Sequence, residues 1–195
     1  MPLEAFTKVS EATRLLVEQG FTPEAVTGAI EMVARALKVD RALVYENGKG
    51  AVARKCESAL RHAWSETPMT GAVRRSFPLQ EQAAEWVEVL SRGQPLWELV
   101  RNVQQPMRGF LEEQGVQSVL LLPISVGSIN GQWWGFLRLD DCQRERRWGP
   151  EELSILRTLT RSLSNALKQD LRREALAQTR MELQAMMLRC AAGTR

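Results

Sequence analysis

The residues best suited to chemistry cluster in "RLDDCQRERRW", Arg138 to Trp148, where two aspartates and a cysteine run into three further arginines and a tryptophan. Adjacent carboxylates could hold a divalent cation, and Cys142 could serve as a nucleophile. Both readings lack company in the sequence. Neighbouring side chains on a strand point to opposite faces, no further ligand lies close by, and no histidine or second cysteine adjoins Cys142. The preferred reading is a staple at a strand end. One of Asp140 and Asp141 accepts hydrogen bonds from loop amides, the other pairs with Arg144, Arg146 or Arg147, and Trp148 lids the loop against a sheet. No metal ligand and no catalytic residue is assigned, and Cys142 is read as a small packing residue.

The other reactive types are sparse. Three widely spaced cysteines (Cys56, Cys142, Cys190) and a single histidine argue against a disulfide framework, a Cys-based zinc site or a His-rich metal site. His62, between Arg61 and Trp64, is read as half-buried and held by a backbone carbonyl rather than as a haem ligand or base. The charge pattern is equally restrained. Net charge is only +3, and residues 143–195 carry the excess, with 11 Lys/Arg against 6 Asp/Glu. That places the positive charge on a C-terminal helix with little aromatic interleaving, so a solvated face is expected and not a nucleic-acid surface.

Positioning these residues falls to a regular succession of elements. "PLEAFTKVSEATRLLVEQG" sets Leu3, Phe6, Val9, Thr13, Leu16 and Val17 on one helical stripe and stops at Gly20. Thr22 is an N-cap, Pro23 suits the first helical position, and Val26, Ile30, Val33 and Leu37 define a second amphipathic helix. "RALVYENGKG" is a strand entering a turn at Asn47-Gly48. "ESALRHAWSE" is another strand, with Leu60, His62 and Trp64 on one face and Ala59, Arg61 and Ala63 on the other. Residues 65–78 form a loop. "LQEQAAEWVEVLSRG" is a helix with Ala83, Trp86, Val87 and Leu90 inward, followed by a short strand at "PLWELV" and a short helix at "QPMRGFLEEQG". Two apolar strands, "QSVLLLPISV" and "QWWGFLRLD", are joined by a tight turn at Asn130-Gly131. Alternation puts Trp134, Phe136 and Arg138 on one face. Pro150 then opens a long helix that runs on through Leu176, Leu183 and Met187, with Arg180 interrupting an imperfect heptad. Helices segregated from a mostly antiparallel sheet make an α+β domain. No apolar run reaches the roughly 20 residues of a membrane span, and the N-terminus lacks a signal-peptide pattern, so a cytoplasmic location is expected.

These residues are familiar in combination. "LLLPISV", "WWGFLRLDDCQRERRW" and "EELSILRTLTRSLSNAL" resemble the GAF domains found beside bacterial sensor histidine kinases, as do the "RHAW" strand and the helix tryptophan Trp86. The resemblance covers residues 22–170, leaving an N-terminal helix over 1–21 and a C-terminal helical extension over 171–195 for signalling or dimerisation. It implies a GAF-like, PAS-related fold: a six-stranded antiparallel sheet flanked by helices, one face of which often cups a small ligand. Tyr45, Arg61, Trp64, Trp86, Trp97, Trp134 and Arg138 are the expected pocket residues. Arg138 stands where the family commonly has glycine, and an arginine in a central strand must reach solvent, pair with a carboxylate or meet an anionic ligand. The resemblance implies no catalytic activity. The cyclic-nucleotide pattern is absent, Cys142 is followed by Gln143 where bilin attachment needs a Cys-His pair, and no cofactor is assigned. The expected function is a sensory or regulatory module that binds a small molecule, dimerises through Leu176, Leu183 and Met187, and regulates a partner such as a separately encoded histidine kinase. The alternative is a ligand-free scaffold for dimerisation and protein interaction.

Overall fold

The computed structural model describes residues 2–48, 57–67, 76–127 and 132–192. Helix α1 (Pro2–Gln19) and helix α2 (Pro23–Leu37) lead into strands β1 (Arg41–Asn47), β2 (Ser58–Ser65) and β3 (Ser76–Phe77). Short helices α3 (Leu79–Gln82) and α4 (Ala84–Ser91), strand β4 (Leu96–Leu99), a 3-10 turn and helix α5 (Met107–Glu113) follow. Strands β5 (Ser118–Val126) and β6 (Gln132–Asp141) precede helix α6 (Pro150–Ala192). The six strands form one antiparallel sheet in the order β3-β2-β1-β6-β5-β4. The architecture is α+β.

Local signals explain most of these boundaries. Thr22 caps α2 by accepting from the Ala25 amide at 3.3 Å, and Lys38 closes it in the left-handed conformation. Glu152 accepts from the Gly149 amide at 2.8 Å and so caps the start of α6. The helix expected over 79–93 is two pieces, because Ala83 leaves the helical region at φ −153°. Strand β3 lies within the expected 65–78 loop. The Asn130-Gly131 turn and Cys56 fall outside the described residues.

The sheet separates two cores. On one side α1, α2 and α6 bury an aliphatic layer that includes Ile30, Val33, Val44, Leu122, Leu137, Leu159 and Leu163. On the other side α3, α4 and α5 cover an aromatic layer with Tyr45, Phe77, Trp86, Phe110, Trp133 and Phe136. Helix α2 buries the stripe its sequence predicts. Helix α1 does not: Ala5, Val9, Ala12 and Leu16 are buried, whereas Leu3, Phe6 and Val17 are exposed. The two alanines let α1 approach closely, which rotates the bulkier residues outward. Thr13 meets Ser162 at 2.9 Å and Gly20 lies near Arg173, so α1 runs parallel to the first half of α6. No helix among the described residues is long and apolar enough to cross a membrane.

Candidate functional site

Two irregularities in the sheet decide which side chains meet. The β1–β2 register shifts between Val44 and Tyr45, leaving Arg61 without a paired residue. The β5–β6 register shifts between Ile124 and Ser125, which leaves Trp134 unpaired in the same way. Each extra residue reverses the in-out alternation along its strand. Trp133 therefore packs in the aromatic layer with Phe136, while Trp134 turns to the opposite side and meets Phe21 edge-on at 5.6 Å. The expectation that Trp134, Phe136 and Arg138 share a face is corrected by this bulge. Gly135 makes it feasible, since a Cβ there would lie 2.0 Å from the Tyr45 carbonyl oxygen. In β2, His62 and Trp64 share the helix side, with Phe21 against His62 at 5.5 Å, but Leu60 packs on the aromatic side. Burial, with a smaller contribution from Arg61, lowers the His62 pKa.

The seven expected pocket residues are consequently not brought to one face. Tyr45, Trp86 and Arg138 lie on the aromatic side. Trp64 and Trp134 lie on the helix side, Trp64 with the Arg35 guanidinium 5.1 Å from its ring. Trp97 stands opposite Leu120 on the edge strand and is 40% exposed. Arg61 points to solvent and pairs with Glu46 at 2.5 Å. Phe77, Phe110 and Trp133 are the aromatic residues of this side that the sequence reading did not include, while Phe136 keeps its expected face with Arg138. The "WWG" triplet was the available signal, because glycine inside a strand often marks a bulge.

The C-terminal end of β6 is a charge network. Arg138 is fully buried and forms a two-pronged pair with Asp140, Nε to Oδ1 at 2.7 Å and Nη2 to Oδ2 at 2.9 Å. Its Nη2 also donates to the Gln114 side-chain oxygen at 3.1 Å. Burial works most strongly against the arginine's charge, but Asp140, Tyr45 and Cys142 together outweigh it and the Arg138 pKa is raised. Asp141 accepts from the amides of Gln143 and Arg144 at 3.3 and 3.1 Å and pairs with Arg144 Nε at 3.0 Å. Arg146 is buried, donates to the Lys38 carbonyl, pairs with Glu152 and lies 4.2 Å from the Trp148 ring centroid. Arg147 is exposed and takes no part, a correction to its expected role: the loop turns Arg146 inward and Arg147 outward. Asp40, unforeseen in the sequence, accepts from the Cys142 amide at 2.6 Å. Cys142 is half-buried, and burial pushes its thiol up to about 11. No group of three or more potential metal ligands occurs among the described residues.

The rest of the same face is aromatic, and Tyr45 joins it to the charge network. Tyr45 stacks on Phe136 at 5.2 Å and meets Phe77 edge-on at 5.3 Å. Trp133 Nε1, Asn47 Nδ2 and the side-chain oxygens of Gln80 and Gln82 are buried without a hydrogen-bond partner, whereas the Tyr45 hydroxyl faces the Arg138 guanidinium. Burial raises the Tyr45 pKa.

On the far side of the molecule α6 outruns the domain. Ile155, Leu156, Leu159, Leu163 and Leu167 are buried, whereas residues 171–187 are exposed throughout. Leu176, Met181, Leu183, Met186 and Met187 are each more than half exposed.

Comparison with known proteins fits this arrangement. The GAF domain family matches residues 23–167. The methanogenesis regulatory histidine kinase FilI of Methanothrix harundinacea is 30% identical over 163 residues, 82% of this chain and 18% of that protein. The circadian input-output histidine kinase CikA of Synechococcus elongatus is 42% identical over 60 residues, 31% of this chain and 8% of its own length. The chain thus spans less than a fifth of either relative. Two solved structures share the fold: the phycoerythrobilin-bound and phycocyanobilin-bound GAF domains of a cyanobacterial phytochrome. Their TM-scores are 0.72 and 0.67, with 15% and 16% identity. The first match covers 89% of this chain and all of the other, and the second covers 87% and 94%.

Proposed function

The chain belongs to the GAF domain family, and from that premise we propose that it is a non-catalytic, cytoplasmic sensory module whose output is the pairing of its helical extension. A small molecule on the aromatic face, or a partner protein, biases that pairing and so regulates a signalling enzyme such as a histidine kinase. The observation carrying this reading is α6. One unbroken helix begins against the sheet and ends as an exposed stripe, with Leu176 and Leu183 one heptad apart and Met186 and Met187 a turn further on. Leaving such a stripe in water is unfavourable, and pairing with a second copy covers it. Leu3, Phe6 and Val17 on the parallel helix α1 add a second exposed apolar row.

Ligand control requires that the ligand prefer one arrangement of the helices over another. The similarity to kinase regions and to chromophore-bound GAF domains supports a sensory role. The ligand-free scaffold remains a second reading, favoured by the internal pairing of Arg138. Sedimentation of the wild type and of Leu183→Glu with Met187→Glu tests the shared premise. A dimer converted to monomer is expected; a monomeric wild type, or a variant that stays dimeric, defeats it.

A further inference from the structure

We infer that Phe21 is the joint through which the sheet positions α6, so that a change of packing in the aromatic layer reaches the helical extension through the Trp133–Trp134 bulge. This names the internal link of the helix-pairing reading above and rests on that reading only for its output.

Both irregularities of the sheet converge on this one side chain. Trp134 is the extra residue of β6, and it meets the Phe21 ring edge-on at 5.6 Å. His62 follows Arg61, the extra residue of β2, and meets the same ring edge-on at 5.5 Å. Phe21 lies in the turn between α1 and α2, packed against the helix-side layer. The residue before it, Gly20, has φ +73°, and a Cβ there would lie 3.6 Å from Arg173 Nη1 on α6. The turn is thus wedged between the sheet and the stretch where α6 leaves the domain.

The other strand of the same bulge reaches α6 directly. Beside the β5–β6 register shift, the Ser125 amide donates to the Ser164 hydroxyl at 3.3 Å. Ser164 and Arg173 bracket the step from buried Leu167 to exposed Leu171. Neighbouring tryptophans on opposite faces share one short piece of backbone, and a bulge lacks the regular ladder bonds that would hold that piece still. Close-packed layers pass such a shift on instead of absorbing it. A displacement of Trp133 in the aromatic layer therefore displaces Trp134, and Trp134 bears on Phe21.

Trp133→Phe and Phe21→Leu test the joint, because the two residues belong to different layers. Independent sites would change the urea unfolding constant by factors that multiply to within about twofold; a departure of about fivefold or more is expected here. Deleting Trp134 makes Ser125–Trp133 and Ile124–Gly135 consecutive pairs, which removes the bulge without turning any other side chain over. In that background the same two substitutions should multiply to within about twofold. Trp134→Ala, which keeps the bulge and removes the ring, should have the same effect and serves if the deletion does not fold. Trp133→Phe should also speed amide exchange over residues 164–173 by about threefold or more relative to α2, a pattern that uniform destabilisation does not give. Multiplicative effects in the wild-type background, a departure that survives loss of the Trp134 ring, or unchanged relative exchange overturns the inference. Sedimentation of the same samples separates the link from its output. A monomer with coupled substitutions keeps the joint and loses the helix-pairing reading, whereas a dimer with multiplicative ones does the reverse.

Discussion

The two ends of strand β6 solve opposite problems with the same backbone. At its C-terminal end the side chains are charged and matched: Arg138 with Asp140, Arg144 with Asp141, Arg146 with Glu152. At its N-terminal end they are neutral and aromatic, with Trp133 packed near Phe136 and its Nε1 buried without a partner. A buried ion pair is costly to break, because the remaining charge stays in a medium that solvates it poorly. A bare neutral group is a milder cost. The difference teaches that the conspicuous charged motif holds one end of the strand by ion pairing, while aromatic packing holds the other.

Breaking the charged end should give the largest effect. Asp140→Ala leaves Arg138 buried and uncompensated, and a loss of about 3–5 kcal/mol in urea unfolding is expected. A loss under about 1 kcal/mol would show that water or Gln114 replaces the carboxylate, and the contrast between the two ends would collapse. A smaller effect sharpens the boundary of the network. Arg146→Ala removes a buried guanidinium that touches Lys38, Glu152 and Trp148, and about 1–3 kcal/mol is expected, whereas exposed Arg147→Ala should stay within about 0.5 kcal/mol. Equal losses at the two positions would mean that the loop packs differently in solution.

The smallest effect lies behind the neutral end, at His62. Its folded pKa is depressed by burial from the ordinary 6.5. The unfolded chain therefore binds more protons than the folded one below that pH. The contribution is present above about pH 6.5 and is lost as pH falls through the lowered folded value. His62→Gln should flatten the acid side of a Tm-against-pH curve below about pH 6.5. An unchanged slope would place the imidazole in water despite its contact with Phe21.

Much of this was legible in the chain itself. Helix α2 could be read almost residue by residue, because Thr22, Pro23 and the Val26-Ile30-Val33-Leu37 spacing act locally. The staple was legible in part: Asp141 takes both the loop amides and Arg144, roles expected of two different aspartates, while Asp140 turns to Arg138 instead of a loop arginine. The pocket was not. Its expected members were chosen by period-two alternation, and that rule holds only while a ladder is regular.

What the sequence determined alone was therefore the family, most of the order of elements, and local devices such as the Thr22 cap and the Asp141–Arg144 turn. The tertiary structure decided the rest. Bulges at Arg61 and Trp134 arise from the pairing register of β1 with β2 and of β5 with β6, and each reverses the face of the residues beyond it. The rotation of α1 follows from how closely its alanines approach neighbouring elements. Arg138 could have met solvent, a carboxylate or a ligand. Its confinement with Asp140 on the same face of one strand, beneath Gln114 from α5's end, selected the carboxylate. Burial and register are collective properties, set when the sheet closes, and no short window of residues contains them.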